Sequence, residues 1–159
     1  MPHLAALLRV ARRLTLDPAS AEDLAQETML LAWRGFHGFQ TGTNARAWLF
    51  RILFNAFHAA ARKPSVSVSG LSAIHAGTQD AIEIAEALEA LPIEQRTVLL
   101  MCVVEGFTCR EAAAILEVPI GTVMSRLARA KAHLRTRLLS SSAKSIALAA
   151  DPGRANDGL

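Results

Sequence analysis

Residues 105–139 read EGFTCREAAAILEVPIGTVMSRLARAKAHLRTRLL, and this stretch decides the fold. Its second half carries Val123, Leu127, Ala130, Leu134 and Leu138 at steps of four, three, four and four, so they share one face of a helix. Thr122, Ser125, Arg126 and Arg129 fall on other faces and are free to meet something outside the core. From position 119 to 139 there are five Lys/Arg side chains and no acid. The first half opens with Thr108 three residues before Glu111, a spacing that lets each side chain satisfy the other residue's unpaired backbone N–H. Ala113, Leu116 and Val118 are small or aliphatic where two crossing helices must pack, and Pro119 suits a helix start, which needs no N–H there. Glu117 occupies the turn where such motifs favour Gly; a left-handed backbone there costs an L-residue roughly 1 kcal/mol. Short helix, tight turn and long basic helix together predict a helix-turn-helix whose second helix meets DNA.

The rest of the chain is read outward from that unit. The 159 residues are 52% hydrophobic but include only two Trp, six Phe and no Tyr, a mix that favours packed helices over sheets. No apolar run approaches the eighteen or so residues of a membrane span. The first ten residues lack the charged, apolar and cleavable parts of a signal peptide, so a cytoplasmic protein without membrane insertion is expected. Two cysteines make no disulfide framework, and scattered His residues make no ligand spacing, so neither a metal nor a cofactor is expected. Cys102, inside the apolar run 98–104, reads as a buried free thiol. The formal charge is +3, but residues 79–105 hold six acids and one Arg, opposite in sign to the basic helix that follows. Such a division orients one end toward nucleic acid and another toward a protein partner.

Helical periodicity covers residues 4–14, then 19–36 after a break that holds Pro18, then 45–62 with Asn44 as N-cap. In the second of these, Leu24, Ala25, Met29, Leu31, Ala32 and Trp33 predict a broad buried face. Glu22, Asp23, Gln26 and Glu27 lie in its opening turns, where acids suit the helix dipole. Residues 35–44 contain three Gly and two Phe and predict a loop. The third helix is apolar over most of its circumference, and a central place in a bundle is expected. Its polar residues Arg51, Asn55, His58 and Arg62 form one stripe. Residues 64–77 turn to Ser, Val and Gly without a helical period and predict a flexible linker. Helical patterning resumes over 81–91, is interrupted at Pro92 and continues over 93–104; residues 140–159 predict a mobile tail. The expected architecture is all-α, with domains at 1–63 and 81–139 joined by a linker at 64–80.

Two long motifs then resemble a known family. AEDLAQETMLLAW followed by FQTGTNARAWLFRILFNAF resembles region 2 of bacterial extracytoplasmic-function (ECF) sigma factors. ALEALPIEQRTVLLMCVVEGFTCREAAAILEVPIGTVMSRLARAKAHLR resembles region 4, in the family's order and around a short linker. The resemblance implies a subunit that binds core RNA polymerase, directs it to promoter DNA and answers to an anti-sigma factor. It implies that Asp23, Gln26 and Glu27 face the polymerase clamp, although acids near a helix start also serve as caps. It implies that the segment 39–51 reads and opens the −10 element, through Asn44, Arg46, Trp48, Arg51 and the neighbouring Asn55. Cations suit the phosphates of a melted strand, and flat or pocketed surfaces suit its bases. Asn44 is equally explained as an N-cap, and Trp48 reads as core more readily than as a stacking platform. Thr122, Met124, Ser125, Arg126 and Arg129 correspond to residues at the −35 major groove, where Arg can bond guanine in bidentate fashion. Met124 departs from the Lys or Arg common at that place. Lys131, Arg135 and Arg137 fit phosphate neutralisation or a solvated face.

In a departure from the family's common pattern, the first region 2 helix begins close to residue 1, so the segment preceding region 2 is expected to be short or absent. Two other readings compete: a sigma-like decoy that sequesters an anti-sigma factor, and a stand-alone helix-turn-helix regulator with residues 1–63 as a dimerisation domain. Persistence of Arg46, Arg51, Arg126 and Arg129 speaks against the decoy, and the region 2 motif against the regulator. An enzyme fits worst, since no carboxylate has a partnered His or nucleophile and no Gly-rich phosphate loop follows a strand.

Overall fold

The computed structural model describes residues 3–63 and 78–149, and among these residues every regular element is helical. Helix α1 spans Leu4–Thr15, α2 Pro18–Gly35 and α3 Ala45–Ala61, with a 3₁₀ turn at Phe36–Gly38. Helix α4 spans Gln79–Glu89, α5 Ile93–Leu99, α6 Cys109–Leu116 and α7 Ile120–Ala149. A π-helical turn, Leu100–Val104, follows α5 directly, so the helix expected over 93–104 is continuous but changes its winding at Leu100.

Local chemistry sets most boundaries. Asp17 caps α2: its Oδ2 accepts from the Ser20 amide at 2.8 Å and the Ser20 hydroxyl at 2.6 Å, with Pro18 in the first turn. Asn44 Oδ1 accepts from the Ala47 amide at 3.1 Å and starts α3. The Thr108–Glu111 capping box forms in both directions, at 3.1 and 2.7 Å. Glu117 adopts the left-handed conformation expected of the turn, with φ 55°, and its amide bonds the Ala113 carbonyl. Leu16 does the same after α1, with φ 59°.

One expectation is corrected. The buried face of α2 is narrower than its apolar content suggests. Leu24, Ala25 and Ala32 are buried, but Leu31 is 37% exposed and Trp33 81% exposed. Only the side turned to α1 and α3 loses water, and Leu31 and Trp33 lie outside that arc. Helix α7 runs on to Ala149 without a break, since Ser140–Ala149 contains neither Gly nor Pro to stop it. Helix α4 begins at Gln79; residues 64–77, where most of the expected linker falls, and 150–159 lie outside the described residues.

The first three helices and the last four share one core. Leu7, Val10 and Leu14 of α1 and Phe50, Leu53, Phe54 and Phe57 of α3 join Val98, Met101, Phe107, Ala112 and Val123 in a single apolar cluster. Phe107 meets Phe50 edge-on, with ring centroids 5.4 Å apart. The α7 stripe is buried over most of its length, with Val123 and Ala130 fully buried and Leu127 and Leu134 half-buried, but its last member, Leu138, is 36% exposed. Helix α3 is central as expected, packing on α2 to one side and α6 to the other.

Arg96 locks this arrangement from inside. The residue is 8% exposed, and its guanidinium donates to the carbonyls of Leu88 at 2.8 Å, Glu89 at 3.0 Å and Leu91 at 3.3 Å, at the end of α4. The remaining nitrogen donates at 2.8 Å to the Leu14 carbonyl at the end of α1. One cation thereby satisfies orphan carbonyls at two helix C-termini, where the dipoles favour positive charge.

Candidate nucleic-acid interface

The residues expected at a melted strand gather along α3 and the loop before it. Asn44 is exposed, with its carbonyl oxygen committed to the helix cap. Trp48 is half-buried and lies outside the buried core: its ring sits 4.9 Å from that of Phe39, which in turn stacks on Phe36 at 6.2 Å. The result is a half-exposed aromatic ledge beside the N-terminus of α3. Asn55 is exposed on the stripe with Arg51 and Arg62. His58, on the same stripe, is half-buried; burial holds its imidazole below the usual 6.5, Arg62 and Arg126 act in the same sense, and Glu94 opposes them.

The two arginines of this group are already occupied. Arg46 Nη2 donates to Glu105 Oε2 at 2.9 Å and to the Glu105 carbonyl at 2.5 Å. Its guanidinium also lies 4.3 Å from the Phe107 ring centroid and 5.5 Å from that of Phe50, in cation–π range. Arg51 pairs with Glu117 at the turn of the helix-turn-helix. Arg9 of α1 completes the set, donating to Glu105 Oε1 from Nε at 3.1 Å and from Nη2 at 3.0 Å. The Glu105 side chain is 2% exposed, whereas those of Arg9 and Arg46 are 49% and 32% exposed. A buried carboxylate is thus held by two half-exposed cations from a different part of the chain. Burial on that scale is tolerated only where the charge is paired.

Arg9, Glu105 and Glu117 had not been recognised as partners of this surface. Glu105 carries a signal: Val98, Met101, Cys102 and Glu105 are spaced three, one and three apart, which puts an acid on the inward face of an apolar helix. An acid at such a place needs a cation, although nothing in the local sequence says which.

The acids of α2 present a separate surface. Asp23, Gln26 and Glu27 are all exposed, and the capping that they might have provided is done by Asp17 instead. Asp23 and Glu27 stand at the rim of a cleft of about 470 Å³ whose walls include Leu24, Phe57, Ile93 and Arg96. At the far side, Met124, Ser125 and Arg129 of α7 are exposed and Thr122 and Arg126 half-buried. The Ser125 hydroxyl donates to the Thr122 carbonyl at 3.1 Å, leaving its lone pairs outward. Cys102 is a half-buried free thiol rather than a fully buried one, its pKa pushed up to about 11 by burial and by the neighbouring Cys109. Among the described residues no helix is long and apolar enough to cross a membrane.

Known proteins place this architecture. The family model of sigma-70 region 2 matches residues 1–65, and that of sigma-70 region 4 matches residues 81–134. The ECF RNA polymerase sigma factor EcfG of Rhodopseudomonas palustris is 38% identical over 128 residues, covering 74% of this chain and 71% of that protein. SigM of Mycobacterium tuberculosis, also an ECF RNA polymerase sigma factor, is 35% identical over 144 residues, covering 86% and 73%. Among solved structures, the sigma factor RpoE of Bartonella quintana, in complex with the anti-sigma factor NepR, superposes with a TM-score of 0.75 at 33% identity, covering 85% of this chain and 91% of that one. CnrH in complex with the cytosolic domain of CnrY gives 0.69 at 28% identity, with coverage of 87% and 84%. The chain belongs to the ECF sigma factors of the sigma-70 family.

Proposed function

We propose that this chain is a promoter-specificity subunit: it binds core RNA polymerase and directs initiation by recognising −10 and −35 elements. The observation that carries the proposal is the presence, in one chain and in order, of region 2 and region 4 matches on helices that keep their polar faces outward. Asp23, Gln26 and Glu27 are the polymerase contacts in this reading. Their exposure, and their release from capping duty, support it. Asn44, Arg46, Trp48, Arg51 and Asn55 engage the −10 strand, with the Phe39–Trp48 ledge offering a flat surface to unstacked bases. Thr122, Met124, Ser125, Arg126 and Arg129 read the −35 duplex from the exposed side of α7.

The chain acts by binding and performs no covalent chemistry of its own, and its place of work is the cytoplasm, where polymerase and template are. Regulation falls to an anti-sigma factor, a reading supported by the sigma factor RpoE, which was solved in complex with the anti-sigma factor NepR. Reconstitution with core polymerase and a promoter library tests the proposal. Specific start sites that appear only when the chain is added are the expected result; no polymerase association and no specific initiation would overturn it.

A further inference from the structure

We propose that Glu105 is an internal stand-in for a DNA phosphate, which closes the free protein by occupying an anion fork made of Arg9 and Arg46. The inference rests on the reading of Arg46 as a contact to the melted strand. It adds Arg9 to that contact, and it gives the chain an autoinhibited state that needs no partner protein.

The geometry is that of oxyanion recognition. Both carboxylate oxygens are engaged: Oε1 takes two bonds from Arg9 at 3.1 and 3.0 Å, and Oε2 takes one from Arg46 at 2.9 Å and a longer one from Arg9 at 3.3 Å. Two planar guanidinium groups converging on two oxygens of one anion are equally suited to the two free oxygens of a phosphodiester. The cations come from α1 and α3 of the first domain, whereas the anion sits 96 residues from Arg9 and 59 from Arg46, in the second. Separation of the domains would therefore empty the fork without dismantling it. Arg46 is steadied on one side by Phe50 of its own helix, a contact that survives separation. The exposure profile agrees: the carboxylate is sealed while both cations keep an open side. A second pair, Arg51 with Glu117, repeats the pattern on the same helix, where an acid of the helix-turn-helix covers a second arginine assigned to the strand. Met124, Ser125 and Arg129 of α7 stay exposed and have no such acid over them, so the two carboxylates cover the arginines of the −10 group in particular.

The test uses the full chain without polymerase. Small-angle scattering reports whether the domains separate, and titration with a mixed-sequence single-stranded deoxyoligonucleotide reports the fork, since phosphate contacts do not depend on sequence. Glu105→Gln keeps size and removes the charge. It is expected to increase the radius of gyration and to raise oligonucleotide affinity about tenfold, as for a binding-competent state freed from roughly one-tenth occupancy. Arg9→Gln, at a half-exposed site, is expected to open the chain as well but to gain distinctly less affinity, because one arm of the fork is gone. Helical circular dichroism confirms that both variants fold. A Glu105→Gln chain that stays closed overturns the latch, and one that opens without binding more tightly overturns the phosphate mimicry. Equal gains in the two variants exclude Arg9 from the fork. Core polymerase association, measured separately on the native chain, reports on the proposed function alone: its absence would sink that reading and leave the scattering result standing.

Discussion

Replacing Arg96 by Met removes a cation that no exposed surface explains. The side chain lengths are comparable, so the change mainly deletes hydrogen bonds. Four carbonyls lose a charged donor: Leu14, Leu88, Glu89 and Leu91. Leu88 retains the Leu91 amide at 3.1 Å, but the others depend chiefly on the guanidinium or on water. Charge-assisted bonds contribute roughly 1.5–3 kcal/mol each. They are opposed by several kcal/mol of desolvation for an ion this buried. That desolvation is visible in the guanidinium itself, whose pKa is drawn below the ordinary arginine value by burial, with Glu89 opposing. Three carbonyls left without their main donor cost roughly 1–3 kcal/mol each, and with the recovered desolvation set against them the balance is a loss of about 3–5 kcal/mol. A chain of this size has a total stability of about 5–15 kcal/mol, so the variant should remain folded but with a sharply lower urea midpoint. Arg96→Lys should fall in between, because a single ammonium cannot reach the ends of α1 and α4 together. Urea unfolding followed by helical circular dichroism measures both. A loss under about 1 kcal/mol for Arg96→Met would refute the idea that one guanidinium holds the two helix ends.

Other consequences can be checked as directly. Glu117→Gly should stabilise the chain by up to about 1 kcal/mol, because it relieves a left-handed L-residue at the loss of one exposed ion pair; a lower melting temperature would mean that the Arg51 contact outweighs the strain. The Ser20 hydroxyl and amide hold the Asp17 carboxyl below 3.8, and the Thr108 amide and hydroxyl hold that of Glu111 below 4.5. The unfolded chain therefore takes up these protons first, and stability that is complete above those values drains away as pH falls through the lower folded ones. Asp17→Asn or Glu111→Gln should flatten that acid limb in melting curves recorded against pH, and an unchanged slope would count against the capping assignment. Arg129→Ala should lower −35-dependent initiation about tenfold, consistent with roughly 1–3 kcal/mol for a specific base contact, while polymerase association stays intact. Asp23→Ala should do the opposite in the same pair of assays, and parallel losses from both would show that neither residue has a separate role.

Helix positions, caps and the left-handed turn at Glu117 were legible in the chain because each depends on contacts within one or two turns. A 3.6-residue period, an Asn44 or a Thr108–Glu111 pair specifies its local structure wherever the helix ends up in space. The width of a buried face was not legible, and Leu31 and Trp33 of α2 show why: hydrophobicity says that a side chain could be buried, whereas the neighbours decide whether it is. The C-terminal end of the last helix was not legible either, because nothing in Ser140–Ala149 forbids helix and nothing there marks its end. Arg46 and Arg51 were recognisable as cations on one side of α3, yet their partners Glu105 and Glu117 stand 59 and 66 residues away. Local order propagates through covalent neighbours, but charge pairing at that separation exists only once two domains have docked on a common apolar core, and docking is a property of the whole folded chain.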